Sequence, residues 1–206
     1  MNEEAGHAIS DHRRRRALGG YYGGALVKGG ADVTFLVRPR RATQLAEQGL
    51  TIRTKDDAFT TLVKTAEAGA VGGLYDVVFL ACKAYDLDGA IDDFATALSP
   101  DGAVLPVLNG INHIAVLSER LGSPRVLGGV TLFSVVLTPE GDISVPGIGP
   151  TGRTSIGELT GQRSARCDEI CAALSPVAFR LRSVTISSPK CGRNFAALRA
   201  ARRSRC

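Results

Sequence analysis

Hydrophobic and polar positions follow two different periods along most of the chain. Apolar residues recur at helical spacing in some segments, whereas other segments are short, nearly continuous runs of β-branched and aromatic residues. The first pattern predicts helices over LGGYYGGALVKGG, RRATQLAEQG, DLDGAIDDFATAL, INHIAVLSERLG and SARCDEICAAL. The second predicts strands over DVTFLV, LTIRT, TTLVKTAE, YDVVFLACK, AVLPVLNG, RVLGGVTLFSVVLT, DISVPG, TSIGEL and FRLRSV.

The alternation of strands and helices predicts an α/β fold with a doubly wound, Rossmann-type parallel sheet. Continuous runs such as YDVVFLACK are typical of parallel strands that are covered on both faces. Ligands bind such sheets at the carboxyl ends of the strands. Three polar residues follow predicted strands at that position, namely Arg38, Lys83 and Asn109, and each is therefore a candidate site residue.

Composition narrows the class of protein. The chain has 206 residues, of which 44% are hydrophobic, and this suits one domain, or one domain and part of a second. No run approaches the roughly 20 apolar residues of a membrane span. The N-terminal MNEEAGHAISDHRRRR lacks the apolar segment of a secretory signal. We therefore expect a cytoplasmic protein without membrane association.

Five cysteines are scattered along the chain, and none forms a CxxC pair. Cys167 and Cys171 are four residues apart on a predicted helix and share a face, but the histidines lie far away in sequence. We expect reduced thiols and no metal site.

The net charge of +5 is concentrated at the two ends, in Arg13–Arg16 and in the final RAARRSRC. Basic clusters can bind nucleic acid. These two lie at opposite ends without interleaved aromatic residues or a reading motif, so nucleic-acid binding is the least favoured function. The pattern divides the chain into an aberrant basic segment (1–16), a Rossmann-like domain (17–183) and an aberrant basic tail (184–206).

The motifs GGYYGG, VTFLVRPRR, VFLACKAYDL, PVLNGINH, GGVT and IGEL occur in this order between residues 17 and 183. In order and spacing they resemble the 2-dehydropantoate 2-reductase, or ketopantoate reductase, family. The resemblance implies an oxidoreductase that reduces ketopantoate, a small 2-oxo acid, to pantoate with NADPH in pantothenate biosynthesis. It also implies an N-terminal Rossmann domain followed by a helical domain.

The chain departs from the family at the glycine fingerprint. The last glycine of G-x-G-x-x-G matches Gly19, which places Arg14 and Arg16 where the family has glycines. In a reading frame shifted by one base, one coding of HRRRRAL, which starts at His12, yields Thr-Val-Gly-Ala-Gly, so we interpret the arginine run as a frameshifted fingerprint. Residues 1–11 are too polar to replace the family's first strand, and we expect that strand to be degraded.

A second departure is the tail SPKCGRNFAALRAARRSRC, which lacks the family's Trp-containing helix with its proton-donating lysine. Lys190 is nearby, but its neighbours do not fit that motif. We therefore expect the helical domain to be missing and this chain to be inactive. The alternative is a non-catalytic Rossmann remnant, a pseudoenzyme or pseudogene product, that binds nucleotide weakly.

The resemblance assigns Gly19 and Gly20 to cofactor binding, although a close helix–strand contact would also explain such glycines. Arg38 stands where NAD enzymes carry an acidic residue, and an arginine there suits the 2′-phosphate of NADPH. Arg40 and Arg41 would assist it. The alternative for all three arginines is a solvated cationic loop.

Lys83 and Asn109 are assigned both catalytic and cofactor-binding roles by the resemblance. Lys83 would supply a cation near the nicotinamide ribose and the substrate, and Asn109 would orient the reacting carbonyl. The alternatives are a surface lysine with a partly buried stem and an ordinary Asn-Gly turn.

Four further residues attract no chemical role. Tyr21 and Tyr22 are expected to pack the first helix, His113 to be structural or exposed, and Glu158 to be polar because its strand ends there. The oligomeric state is not indicated by any of these patterns.

Overall fold

The computed structural model describes the backbone of residues 6–10, 17–147, 153–174 and 181–183, and side chains within 17–147 and 153–174. The helices are α1 (Ala17–Lys28), α2 (Pro39–Gln48), α3 (Leu87–Phe94), α4 (Asn112–Leu121) and α5 (Ala165–Leu174). The strands are β1 (Gly6–Ser10), β2 (Val33–Leu36), β3 (Leu50–Arg53), β4 (Ala58–Thr61), β5 (Lys64–Ala66), β6 (Tyr75–Leu80), β7 (Leu98–Pro106), β8 (Leu127–Thr131), β9 (Val136–Leu137), β10 (Ile143–Ser144), β11 (Thr154–Glu158) and β12 (Leu181–Ser183).

The main sheet has five strands in the order β5-β2-β1-β6-β7, and every neighbouring pair is parallel. Helix α1 connects β1 to β2, and α3 connects β6 to β7. The chain leaves β1 toward β2 on one side and later adds β6 on the other, so the strand order reverses between β1 and β6. The predicted doubly wound, Rossmann-type fold is confirmed.

The central strand of this sheet, β1, is present, although we expected the first strand to be degraded. We predicted that residues 1–11 would be too polar to replace the first strand, yet Gly6–Ser10 forms β1 between β2 and β6. Ile9 pairs in register with Phe35 on one side and Phe79 on the other. A parallel ladder is built from backbone N–H and C=O groups, which every residue except proline supplies, so a polar sequence can still occupy a central strand.

Two smaller sheets flank the main one. A four-stranded sheet has the order β4-β3-β10-β9, and a three-stranded sheet has the order β12-β11-β8. A single parallel bridge between Val104 of β7 and Val126, just before β8, brings the three-stranded sheet beside the main sheet. The four-stranded sheet packs instead against α1, opposite the main sheet.

Two predicted strands were wrong in extent. TTLVKTAE divides into the end of β4 and the separate strand β5, with Leu62 between them 77% exposed. RVLGGVTLFSVVLT divides into β8 and β9, which belong to different sheets. Apolar runs indicate extended backbone, but they do not reveal where an extended chain leaves one sheet for another.

The core lies on both faces of the main sheet. Val77 and Phe79 of β6 point into one apolar cluster, which includes Tyr22 of α1. Val78 and Leu80 point into a second cluster, formed with α3 and α4. This alternation follows from the two-residue period of a strand. It confirms that the continuous apolar run YDVVFL is a strand covered on both faces.

Candidate functional site

Helix α1 begins at the carboxyl end of β1, and its glycines bring it close to the four-stranded sheet. A Cβ on Gly20 would overlap the Cδ1 atom of Ile143, and a Cβ on Gly24 would overlap Cδ1 of Ile52. Packing against these two isoleucine ends therefore favours glycine at both positions without requiring a ligand. The binding roles of Gly19 and Gly20 stay predictions, and they rest on the position of the helix N-terminus, where free backbone amides favour anions.

The hydroxyl of Tyr22 fixes α1 from the opposite side. It lies 2.5 Å from Thr154 Oγ1 and 2.7 Å from Thr131 Oγ1, two residues that face each other across β8 and β11. The ring stacks on Phe79 with the ring centroids 5.9 Å apart. Burial raises the pKa of Tyr22 to about 12. Tyr22 therefore packs the helix, as expected from the sequence, and its hydroxyl also anchors it.

Arg38 follows β2 by two residues and is the N-cap of α2, which has Pro39 in its first turn. The Arg38 carbonyl accepts hydrogen bonds from the amides of Arg41 at 2.8 Å and Ala42 at 3.0 Å, so its backbone is fixed by the first helical turn. The side chains of Arg38 and Arg40 are exposed. Arg41 is half-buried, and its Nη1 donates to Gln44 Oε1 at 2.9 Å.

Lys83 and Asn109 lie beyond the ends of two neighbouring strands. Leu80, the last residue of β6, pairs with Pro106, the last residue of β7, and each candidate follows its strand end by three residues. Both side chains are exposed. The Lys83 ammonium lies 5.7 Å from the centroid of the Tyr85 ring. The fold therefore brings Arg38, Lys83 and Asn109 to one edge of one sheet.

Comparison with known proteins decides the family. A family model described as ketopantoate reductase PanE/ApbA matches residues 17–161. The chain belongs to the ketopantoate reductase family. An uncharacterised oxidoreductase, YkpB, of Bacillus subtilis is 35% identical over 78% of this chain and 52% of its own length. The 2-dehydropantoate 2-reductase of Halobacterium salinarum is 32% identical over 77% of this chain and 52% of its own length.

Solved structures agree with this assignment. The 2-dehydropantoate 2-reductase of Geobacter metallireducens superposes with a TM-score of 0.74 at 26% identity, over 85% of this chain and 57% of that one. D-mandelate dehydrogenase in complex with NADH and anilino(oxo)acetate has the same fold, with a TM-score of 0.74 at 20% identity over 86% of this chain and 56% of that one. The chain spans about half the length of the curated relatives it matches.

Asp86 is a candidate site residue that the sequence analysis missed. Asp86 occupies the N-cap position of α3, but its side chain makes no capping hydrogen bond. Its Oδ2 is buried without a hydrogen-bond partner in the described structure. A buried acceptor without a donor costs free energy, so this oxygen is suited to a donor from a ligand. The signal in the sequence was its place three residues after Lys83.

Glu158 has a structural partner that its strand-end position did not predict. Its carboxylate accepts hydrogen bonds from Arg166 Nε at 2.7 Å, Arg166 Nη2 at 2.6 Å and Ser164 Oγ at 2.6 Å. The hydrogen bond from Arg166 is the main cause that lowers the pKa of Glu158, and burial opposes it. Arg166 also donates to the carbonyl of Pro124. The network joins β11, α5 and the segment that follows α4.

The remaining ionisable candidates are structural. His113 is 6% exposed, and desolvation lowers its pKa. Of the two alternatives expected for it, structural or exposed, the structure shows the first. Burial raises the pKa of Cys167 and of Cys171, in the latter case to about 11. Within residues 17–147 and 153–174, no three His, Cys, Asp or Glu side chains cluster as metal ligands. No helix in the described part of the chain is long and apolar enough to cross a membrane.

Proposed function

We propose that this chain forms the NADPH-binding part of a cytoplasmic 2-dehydropantoate 2-reductase, which reduces ketopantoate to pantoate in pantothenate biosynthesis. The observation that carries the proposal is the position of Arg38, Lys83 and Asn109 beyond the carboxyl ends of β2, β6 and β7. These strands flank the point where the strand order reverses, which is where open α/β sheets bind ligands. We assign the dinucleotide-binding unit to residues 17–183 together with β1 (Gly6–Ser10), because β1 lies at the centre of the sheet. The predicted boundary at residue 16 therefore moves, and the aberrant basic tail stays at 184–206.

Arg38 would hold the 2′-phosphate of NADPH. Its side chain is exposed at the end of β2, and its backbone is fixed by the first turn of α2. The amides at the start of α1, with Gly19 and Gly20, would face the pyrophosphate. Arg14 and Arg16, which we expect to obstruct that turn, lie outside the described residues.

When bound, NADPH would supply the hydride for the ketone carbon. Lys83 would place its ammonium beside the ketone oxygen or the carboxylate of the 2-oxo acid, because a cation stabilises the negative charge that develops there. Asn109 would donate its amide hydrogens to the same substrate or to the ribose. Asp86 would accept a ribose hydroxyl at its buried Oδ2.

Fluorescence titration with NADPH and NADH tests the cofactor assignment. A charge-assisted phosphate contact contributes about 1.5–3 kcal/mol, so wild type should bind NADPH about tenfold or more tightly than NADH. Arg38→Ala should abolish this preference. Lys55→Ala removes one positive charge from the β3–β4 hairpin, outside the candidate site, and should preserve it. Equal affinities in the wild type would contradict the assignment.

A turnover assay separates the reductase from the alternative, a non-catalytic Rossmann remnant. We expect the 206-residue chain to bind NADPH and to show no ketopantoate reduction by itself. A protein with Arg14→Gly and Arg16→Gly that is joined to the C-terminal domain of a full-length relative should reduce ketopantoate, and Lys83→Ala should then impair this activity. A restored protein that binds NADPH but remains inactive would support the remnant.

A further inference from the structure

Helix α2 carries Arg38 at its N-cap but has little apolar anchorage of its own. Of its ten residues, all described, Leu45 is the one that is buried. Ala42 is partly buried and packs against the same core. A short helix anchored by only these two apolar side chains can shift around that contact. The position of its first turn, and therefore of Arg38, depends on whatever polar contacts hold the helix elsewhere.

The connection between β9 and β10 is a hydrogen-bonded turn, Thr138–Asp142, which we name the β9–β10 turn. The Thr138 amide donates to the Asp142 carbonyl at 2.8 Å, and the Gly141 amide donates to the Thr138 carbonyl at 3.0 Å. The Asp142 carboxylate accepts a hydrogen bond from Arg53 Nε at 2.8 Å. The turn is thereby tied to the four-stranded sheet, which also packs on α1.

This turn holds α2 through Gln44. Gln44 Nε2 donates to the Glu140 carbonyl at 2.5 Å, while Gln44 Oε1 accepts from Arg41 Nη1 at 2.9 Å. Gly141 has a φ of +98°, and a Cβ there would overlap Gln44 Nε2 and come within 2.8 Å of Arg41 Nη1. Glycine suits this position because it tolerates positive φ and leaves the two side chains where they are.

We infer that Gln44 is a positioning residue that sets cofactor discrimination by holding the start of α2 against the β9–β10 turn. Arg41 then belongs to this contact instead of to the 2′-phosphate, and Arg38 and Arg40 are left as the exposed cations of the segment. The inference rests on the proposed NADPH binding. It adds that discrimination between NADPH and NADH depends on a turn about 100 residues away in sequence, Gln44 and Glu140 being 96 residues apart.

The test compares the ratio of NADH to NADPH dissociation constants in the full chain. Gln44→Ala removes the donor to Glu140 and the acceptor for Arg41, and should lower this ratio about threefold to tenfold, as expected for loss of one or two hydrogen bonds that hold Arg38 in place. Gln48→Ala is the matched control. Gln48 lies one turn further along α2 and accepts a hydrogen bond from Gln44. Its removal leaves the hydrogen bond from Gln44 to the Glu140 carbonyl in place, so Gln48→Ala should preserve the ratio.

Two further measurements complete the test. Hydrogen exchange at the Arg41 and Ala42 amides, which bond to the Arg38 carbonyl, should accelerate in Gln44→Ala and not in Gln48→Ala. Gly141→Ala disrupts the same contact from the side of the turn and should lower the ratio of dissociation constants similarly. Gln44→Glu keeps an acceptor for Arg41 but loses the donor to Glu140. Its ratio should lie between those of Gln44→Ala and wild type. If Gly141→Ala fails to fold, the Gln44 variants decide.

The possible results separate the two proposals. A wild type that discriminates, with an unchanged ratio in Gln44→Ala, overturns the positioning role and leaves NADPH binding intact. A wild type that does not discriminate overturns the assignment of Arg38 and the positioning role with it. A lowered ratio with accelerated exchange supports both.

Discussion

The hydroxyl of Tyr22 lies 2.5 Å from Thr154 Oγ1, so the glycine-rich helix α1 is bonded to a strand 132 residues away in sequence. Tyr22→Phe should lower the free energy of unfolding by about 1–2 kcal/mol, because the buried Thr154 hydroxyl and the half-buried Thr131 hydroxyl lose their shared partner. Denaturant unfolding measures this effect. Tyr85→Phe is the control, since Tyr85 is 67% exposed, and it should change stability little.

The same tyrosine predicts a dependence on alkaline pH. The pKa of Tyr22 is about 12 in the folded chain, against about 10 in an unfolded one. Its contribution to stability is fully present below about pH 10 and is lost as the pH rises through the folded pKa. The difference between wild type and Tyr22→Phe should therefore shrink above that pH. A difference that stays constant from pH 9 to 12 would contradict burial of the phenol.

Gly20 and Ile143 are in contact, so a substitution at one should be compensated by a substitution at the other. Gly20→Ala should destabilise the chain by about 1–3 kcal/mol, because its methyl group would overlap Ile143 Cδ1. Ile143→Val removes that atom and leaves Cγ1 at 3.6 Å, an ordinary contact distance. The double variant should regain stability, since alanine is favoured over glycine inside a helix by about 1 kcal/mol. A double-mutant cycle by chemical unfolding measures the coupling.

The double variant also separates two roles of Gly20. If the double variant is stable and binds NADPH as wild type does, Gly20 serves packing alone. Weakened binding in a stable double variant would support the predicted role of Gly20 in the cofactor site.

Glu158→Gln should destabilise the chain at neutral pH by about 1–2 kcal/mol, because Arg166 loses its anionic partner at a site that is only partly exposed to solvent. The pKa of Glu158 is lowered in the folded state. Its contribution is therefore present above the unfolded pKa of about 4.3 and is lost as the pH falls through the folded pKa. Urea unfolding from pH 7 to pH 3 checks this, with the exposed Glu119→Gln expected to show no effect at any pH.

Asp86→Asn should raise the free energy of unfolding of the unliganded chain by up to about 1 kcal/mol, because a neutral amide is cheaper to bury without a partner than a carboxylate oxygen. The same change should weaken NADPH binding, since an amide accepts a ribose hydroxyl less strongly. Thermal unfolding and NADPH titration on one sample measure both effects. A variant that is less stable and binds normally would show that Asp86 has a structural role only.

Much of the local structure was predictable. The five helices lie where apolar spacing places them, and Gly122, the glycine that closes the predicted helix INHIAVLSERLG, is the C-cap of α4 with a φ of 89°. The Rossmann-type fold followed from the alternation of strands and helices, and membership of a family of oxidoreductases followed from motif order; both predictions are confirmed. Arg38, Lys83 and Asn109 were expected at strand ends and lie there, while their chemical roles stay predictions.

Other features could not be read from the sequence. The central position of Gly6–Ser10 depends on backbone pairing with β2 and β6, which side-chain polarity does not reveal. Arg41 was expected to assist a phosphate contact, and its bond to Gln44 was not foreseen. The partner of Glu158 and the unpartnered oxygen of Asp86 were missed because burial of a polar atom has no sequence period.

The sequence by itself determined the order and type of the elements, because the periodicity of a helix or a strand can be recognised within a segment of about ten residues. The same segments determined which polar residues follow strands. Only the tertiary structure decided which strands became neighbours, and which side chains met across long separations, such as Tyr22 with Thr154 or Gln44 with the carbonyl of Glu140. Those contacts depend on how whole layers pack, and packing joins residues that no local pattern connects.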